Sequence, residues 1–313
     1  MSPTLFVIIA WMLTVTTLFG NCFLIIIIVS TKRLRSSKLN WFIISLAVAD
    51  FLVGLSFYPP LFFCERWFSC HISLVQSFRW IFIYSSVCNL CAMTLDRYLA
   101  ITSPIYHRTK VSERIVVMWI TLAWLVPAVL HGVVFIPLYY VHKRKTLEYV
   151  LPILLVIFEA IPCLLILLAV VRISIIAKRQ KLQRINKSKG RANTNNQNQG
   201  GSTALNMILF VAFFFIFCYS VEVYYSMCKN VLKLCEDTEV LQMIRRLFLI
   251  ANSAVNPFAY AYLKRDIKEE VNSKINVLCR KQLNHPRYPE AGRRDDEIEA
   301  AEIQLRYALY TTS

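Results

Sequence analysis

Eight charged side chains stand inside runs that are otherwise apolar: Asp50, Arg79, Asp96, Arg97, Glu159, Glu222, Arg245 and Arg246. A charge at the centre of a bilayer costs about 3 kcal/mol or more, so each marks a functional candidate. Asp50 lies near the middle of its run and needs a polar partner. Asp96 and Arg97 are adjacent, and an Asp–Arg pair can make and release a charge-assisted hydrogen bond. Arginines such as Arg79 and Arg246 can bind a carboxylate or phosphate. Arg79 precedes Arg97 by 18 residues. That is five helical turns and about 27 Å, so both project from nearly one face of one helix.

The elements that must carry these residues follow from hydropathy. The 313 residues are 57% hydrophobic and only 17% charged, with a mean hydropathy of +0.49; a soluble domain carries about 25% charged residues. The apolar residues fall in long runs that read as seven membrane spans, at about 4–30, 39–64, 71–103, 115–137 (inside an uncharged run to 141), 149–171, 203–227 and 240–262. None alternates with period two, which excludes a barrel. The expected fold is therefore an all-α membrane protein, a seven-transmembrane helix bundle. The first run lacks a basic flank and reads as an anchor that stays rather than a cleaved leader.

The net charge of +16 would point to nucleic acid in a soluble protein, but here the basic residues lie between the spans. The loops on one side hold 15 Lys and Arg and those on the other hold 6, and the segment after residue 262 adds ten to the richer side. By the positive-inside rule, residues 1–3 and the amino terminus face outside and the carboxyl terminus faces the cytosol. Residues 263–279 (Lys264, Arg265, Lys268, Glu269 and Glu270 against Ile267, Val271, Ile275 and Leu278) form an amphipathic interfacial helix. Cys279 follows as a palmitoylation site or an unmodified thiol. Residues 280–313 read as a mobile cytosolic tail. The Asn/Gln/Gly tract from Gly190 to Gly201 reads as a flexible linker.

The run Asp96-Arg97-Tyr98-Leu99-Ala100-Ile101-Thr102-Ser103-Pro104 resembles the DRYxAIxxP pattern of rhodopsin-like (class A) G protein-coupled receptors. Gly20-Asn21, Leu46-Ala47-Val48-Ala49-Asp50, Trp124, Pro162 and Asn256-Pro257-Phe258-Ala259-Tyr260 match further signatures of that family, span by span and in order. Asn256 to Val271 looks most like adenosine receptors. The resemblance implies a plasma-membrane receptor, not an enzyme, that binds an extracellular small molecule or short peptide and activates a heterotrimeric G protein, with arrestin and membrane lipids as further partners and no nucleic acid.

Residue by residue, the resemblance makes Asp96, Arg97, Tyr98, Phe215, Asn256, Pro257 and Tyr260 the activation switch. Asp96 holds Arg97 at rest; a lone Arg at this depth would only snorkel. Asn256-Pro257 is expected to break the seventh helix, since Pro removes a backbone donor. Asp50, Ser86, Asn252 and Asn256 form either an allosteric sodium site or a water-filled polar cluster; no other cofactor is implied. The ligand is expected to meet Arg79, Ile83, Glu159, Tyr219, Glu222 and Arg246. In one form, Arg79 binds the carboxylate or phosphate of an anionic or zwitterionic ligand. In the other, Arg79 is tied to Glu222 in an internal ion-pair network. One of Arg245 and Arg246 is expected to point to headgroup or loop. Amine receptors carry an Asp where this chain has Arg79, which argues against a simple monoamine. Ile250 stands at the retinal-linking position of opsins, which excludes a Schiff base.

Several positions depart from the family. Tyr219 and Val221 replace the Trp and Pro of FxxCWxP, so the sixth helix is expected to be straighter, and coupling to be altered. Val170 replaces a Tyr that meets Arg97, and Gly201 an acid that locks it. Ile72 occupies the usual third-span cysteine position, so the family's disulfide cannot form there; melanocortin receptors share this absence. Four outward cysteines allow three complete pairings. Cys228–Cys235 is the first expected and Cys64–Cys70 the next, against free thiols. A decoy or partner subunit is the nearest alternative function. A transporter would show repeats and broken helices, and an intramembrane enzyme would need motifs that are absent here.

Overall fold

The computed structural model describes residues 3–67, 71–142, 149–188, 199–232, 234–235 and 238–283. Among these residues all regular structure is helical. α1 spans Pro3–Ser30, α2 Lys38–Arg66 and α3 Ile72–Thr102. α4 runs from Glu113–Pro127 through a π-helical stretch, Ala128–Phe135, into Ile136–Val141. α5 runs from Leu151–Leu155 through a second π stretch, Val156–Ala160, into Ile161–Ser188. α6 spans Gln199–Ser226 and ends in a π turn, Met227–Val231. α7 spans Glu239–Leu263 and α8 Arg265–Leu283. The chain divides into two compact units, split after Lys268.

Among the described residues six stretches are long and apolar enough to cross a membrane: Thr4–Ser30, Lys38–Cys64, Leu74–Thr102, Glu113–Val141, Pro152–Arg179 and Met207–Lys229. The seventh helix, α7, has 25 residues and so the length to span. Its apolar content is lower because one side of it is polar, and there Asn252, Ser253 and Asn256 are all buried. That side faces the bundle interior, while Phe258 and Tyr262 on its other side are exposed, as are Met12, Phe19, Phe213 and Leu164 elsewhere on the bundle.

α5 and α6 extend past the apolar runs. The segment from Arg172, read as loop, is helical through Ser188, because Lys, Arg and Gln sustain a helix after hydropathy falls. Most of the Asn/Gln/Gly tract, Lys143-Arg144-Lys145 and the tail from 284 lie outside the described residues. Cys279 lies on α8, its side chain outside the description.

The bundle is locked by a few polar cross-links. Trp124 Nε1 on α4 donates to Ser45 Oγ on α2 at 2.9 Å, and Ser45 Oγ donates to Asn89 Oδ1 on α3 at 2.7 Å. Two prolines create a second kind of link. Pro60 has no N–H for the Ser56 carbonyl one turn back; Arg79 Nε on α3 donates to that carbonyl at 3.0 Å. Pro257 likewise frees the Ser253 carbonyl, and Asn21 Nδ2 on α1 donates to it at 3.3 Å. Gly20 lets α1 approach: a Cβ there would lie 3.1 Å from the Pro257 ring. The break expected from the sequence at Asn256-Pro257 does not occur: α7 runs on to Leu263, with the bond that Pro257 cannot make replaced by one from α1.

Candidate functional site

Polar side chains gather at three levels. At the first, Asp96 is buried and accepts from Arg97 Nε at 2.9 Å, with Arg97 Nη2 closing the same pair. The other carboxylate oxygen meets His107 Nε2 at 2.8 Å. His107 belongs to a short helix, Pro104–Lys110, that the Ser103-Pro104 step starts. Tyr98, one residue on, is half-buried. Lys264, between α7 and α8, is buried, bonds Asn40 Oδ1, and reaches Asp266 Oδ2 at 2.8 Å. Burial holds its ammonium below the usual lysine range, and Asp266 raises it part of the way back.

At the second level Asp50 is fully buried. One of its oxygens accepts from Ser86 Oγ at 2.7 Å and Ser253 Oγ at 2.8 Å; the other accepts from Asn256 Nδ2 at 2.7 Å. Asn252 is buried without bonding Asp50, and Ser253 takes the place the sequence assigned to it. The two are neighbours on a helix, about 100° apart, and only one can face the carboxylate. Tyr260 and Phe215 are buried, and Phe215 packs on Tyr219 with ring centroids 4.3 Å apart.

The third level is the Arg79 end. Arg79 is not tied to Glu222. Its Nε and Nη2 go to the Ser56 and Phe57 carbonyls, 3.0 and 3.3 Å away, and its guanidinium lies 4.6 Å from the Phe57 ring centroid. Pro60 explains the first of these, because the Ser56 carbonyl it frees takes the Nε donor. Glu222 pairs instead with Arg245 Nη1 at 3.0 Å and accepts from Ser226 Oγ at 3.2 Å. Arg245 also lies over the Tyr225 ring, 4.4 Å from its centroid. Arg246 contacts Gln242 at 3.5 Å and interacts electrostatically with Arg79 and Tyr58. Both arginines thus have partners on the bundle, where the sequence expected one to point to headgroup or loop.

Beside that pair lies Glu159, 1% exposed, with neither carboxylate oxygen hydrogen-bonded. It is carried by the π stretch of α5, where an added residue per turn re-aims side chains. The π stretch of α4 carries His131, 2% exposed, with Nδ1 unpartnered. Tyr84 joins the two: it stacks on Phe158 at 4.4 Å and meets the His131 ring edge-on at 5.8 Å. Ile83 and Tyr219 are also buried. The sequence reading passed over His131, Tyr84, Ser253 and His107. A neutral histidine inside an uncharged run was the available signal for His131, since any imidazole in lipid needs a partner.

Cys228 and Cys235 are joined by a disulfide, with Cα atoms 5.4 Å apart. Cys64 is disulfide-bonded as well, and Cys70 lies outside the described residues.

The sequence model of the seven-transmembrane receptor (rhodopsin) family matches residues 20–260. The chain belongs to the rhodopsin family of seven-transmembrane receptors, a family of receptors rather than enzymes. It is similar to a D(1)-like dopamine receptor of Takifugu rubripes, 31% identical over 152 residues (44% of this chain, 31% of that receptor). A D(1B) dopamine receptor of Xenopus laevis is 34% identical over 140 residues (43% and 30%), and trace amine-associated receptor 8c of Mus musculus is 35% identical over 121 (37% and 35%). The matched stretch spans about a third of the length of these relatives. The finer likeness to adenosine and melanocortin receptors finds no support in these matches.

Proposed function

We propose that this chain is a plasma-membrane receptor that takes an extracellular small-molecule or short-peptide ligand at the Arg79 end and activates a heterotrimeric G protein at the Asp96 end. The observation that carries the reading is the Asp96–Arg97 pair, its carboxylate shared between Arg97 and His107 at the foot of a 31-residue helix. A ligand favours one of two helix arrangements by binding it more tightly. Rearrangement that draws Arg97 off Asp96 exposes a guanidinium to the G protein. The amino terminus then lies outside and the carboxyl terminus in the cytosol, in line with the lysine and arginine bias; arrestin and membrane lipids are further partners on the cytosolic face.

Asp50, Ser86 and Ser253 supply oxygens suited to a sodium ion, with Asn256 closing the cluster through its amide. Bound there, the ion would add charge neutralisation for Asp50 and hold α2, α3 and α7 together. An Asp50→Asn receptor should lose any difference between sodium and N-methylglucamine buffers.

The test is G-protein nucleotide exchange in membranes carrying equal surface amounts of wild type and Arg97→Ala. Basal or ligand-driven exchange that vanishes in the variant is expected. Equal exchange in both would overturn the assignment. α6 runs unbroken through Tyr219 and Val221, and this favours a second reading: a decoy that binds ligand without coupling. No exchange with any G-protein class, alongside retained ligand binding, would select it.

A further inference from the structure

We infer that a groove between α3 and α5, at the Asp96 end, holds an anionic phosphoglyceride of the inner leaflet. Its phosphate meets Arg172 and Tyr98, its ester carbonyl meets Thr94, and one acyl chain lies along the two helices. The inference takes from the receptor reading above only which leaflet supplies the lipid; the site itself does not depend on coupling to a G protein.

A cavity of about 470 Å³ lies there, lined by Thr94, Leu95 and Tyr98 of α3 and by Leu165, Leu168 and Arg172 of α5 among others. Small-molecule sites occupy about 300–1,000 Å³. Its walls are mainly apolar, and Leu95, Leu165 and Leu168 are exposed on the outside of the bundle, so it opens to lipid. α3 and α5 are alternate spans and run in the same direction. Tyr98 and Arg172 are the last lining residues of each, so the polar groups collect at the edge beside the Asp96–Arg97 pair.

Three polar groups of this cavity have nothing to bind among the described residues. Arg172 is exposed and makes no hydrogen bond or ion pair. The Tyr98 hydroxyl makes no hydrogen bond. Thr94 is 2% exposed, and its Oγ1 is unpartnered. Elsewhere in the bundle Thr14, Thr17 and Thr102 each donate to the carbonyl four residues back. A buried hydroxyl that forgoes that bond beside an apolar cavity calls for an acceptor from outside the chain.

The spacing selects the ligand. Thr94 stands one helical turn, about 6 Å, deeper in the membrane than Tyr98. A fatty acid ends in its carboxylate and offers nothing polar at the depth of Thr94. A phosphoglyceride carries an ester carbonyl one glycerol backbone below its phosphate, and that carbonyl accepts from a hydroxyl. A guanidinium binds phosphate through two parallel N–H···O bonds. A choline headgroup would bring a second cation to Arg172, whereas the cytosolic leaflet is rich in anionic lipid. A lipid seated here ties α5 to the foot of α3, at the residue that follows Arg97.

The experiment is native mass spectrometry of the purified full-length chain in detergent, with dioleoylphosphatidate, dioleoylphosphatidylcholine or oleate added. It reads binding alone, so absent G-protein coupling, which would fault the receptor reading, leaves it intact. One phosphatidate per chain should be retained in a saturable way, at least tenfold more strongly than the choline lipid or oleate. Arg172→Gln should weaken that retention at least tenfold and Thr94→Val about threefold. Arg179→Gln, two turns further along α5 and also exposed, should leave it unchanged. Without lipid, Arg172→Gln should melt like wild type, because Arg172 has no bond to lose. Equal retention of phosphatidate and phosphatidylcholine would reduce Arg172 to a cation snorkelling at the surface. That result, stronger retention of oleate, or unchanged retention in Arg172→Gln would each overturn the assignment.

Discussion

The Asp96 end and the Arg79 end of this bundle treat a buried carboxylate in opposite ways. At the first, both Asp96 oxygens are engaged, by Arg97 and by His107. At the second, Glu222 spends one oxygen and Glu159 spends none. A satisfied network specifies one arrangement, whereas a half-satisfied one favours whatever completes it. One end is thus built to stay closed until something pulls it apart, and the other to stay incomplete until something arrives. A two-state receptor needs both, because a ligand moves the equilibrium only by what it adds to one state.

The contrast can be broken by substitution. Glu222→Ala should have the largest effect on stability, about 3–5 kcal/mol, because it strands the Arg245 guanidinium beside Tyr225 without its hydrogen-bonded carboxylate. Thermal unfolding in detergent measures it; a variant that melts like wild type would mean that Arg245 does not depend on this pair. Asp96→Asn and Glu159→Gln form a matched comparison. The first removes charge-assisted bonds and should cost about 2 kcal/mol, with raised basal nucleotide exchange. The second should cost nothing or stabilise, because Glu159 makes no bond to lose. The same loss in both would erase the distinction between the ends.

Arg79→Met keeps the length of the side chain and deletes the donors to Ser56 and Phe57, for an expected cost of about 1–2 kcal/mol. If ligand affinity falls and stability does not, Arg79 serves the ligand rather than α2. His107→Ala is the smallest change, about 1 kcal/mol, and should show chiefly as a modest rise in basal exchange.

The sequence made most of the fold legible because lipid imposes a simple rule, about 20 apolar residues per crossing. α7 was the weakest span by hydropathy, since its buried face is polar, yet its motif Asn256-Pro257 identified it. The Asp96–Arg97 pair was readable from adjacency alone. Glu159 and Glu222 stood out as charges in apolar runs, but their different states did not, because partner choice depends on helix rotation. Arg79 shows the limit most clearly. Its place on α3 was readable, but that α2 carbonyls, one of them freed by Pro60, would claim its donors depends on a packing between helices that no spacing encodes. The π stretches that turn His131 and Glu159 inward leave no periodic signature long enough to read.

The two proline links have a consequence for how such a chain can change over generations. Pro257 and Asn21 sit on different helices, yet their link needs both: remove the proline and the Ser253 carbonyl regains its own backbone partner, leaving the asparagine only its bond to the Thr17 carbonyl of its own helix. Pro60 and Arg79 stand in the same relation. Each pair is a single unit of inheritance written at two distant places. Among descendants of this gene the members of a pair should be lost together or kept together, and Gly20, which gives Asn21 its reach, should travel with the first pair.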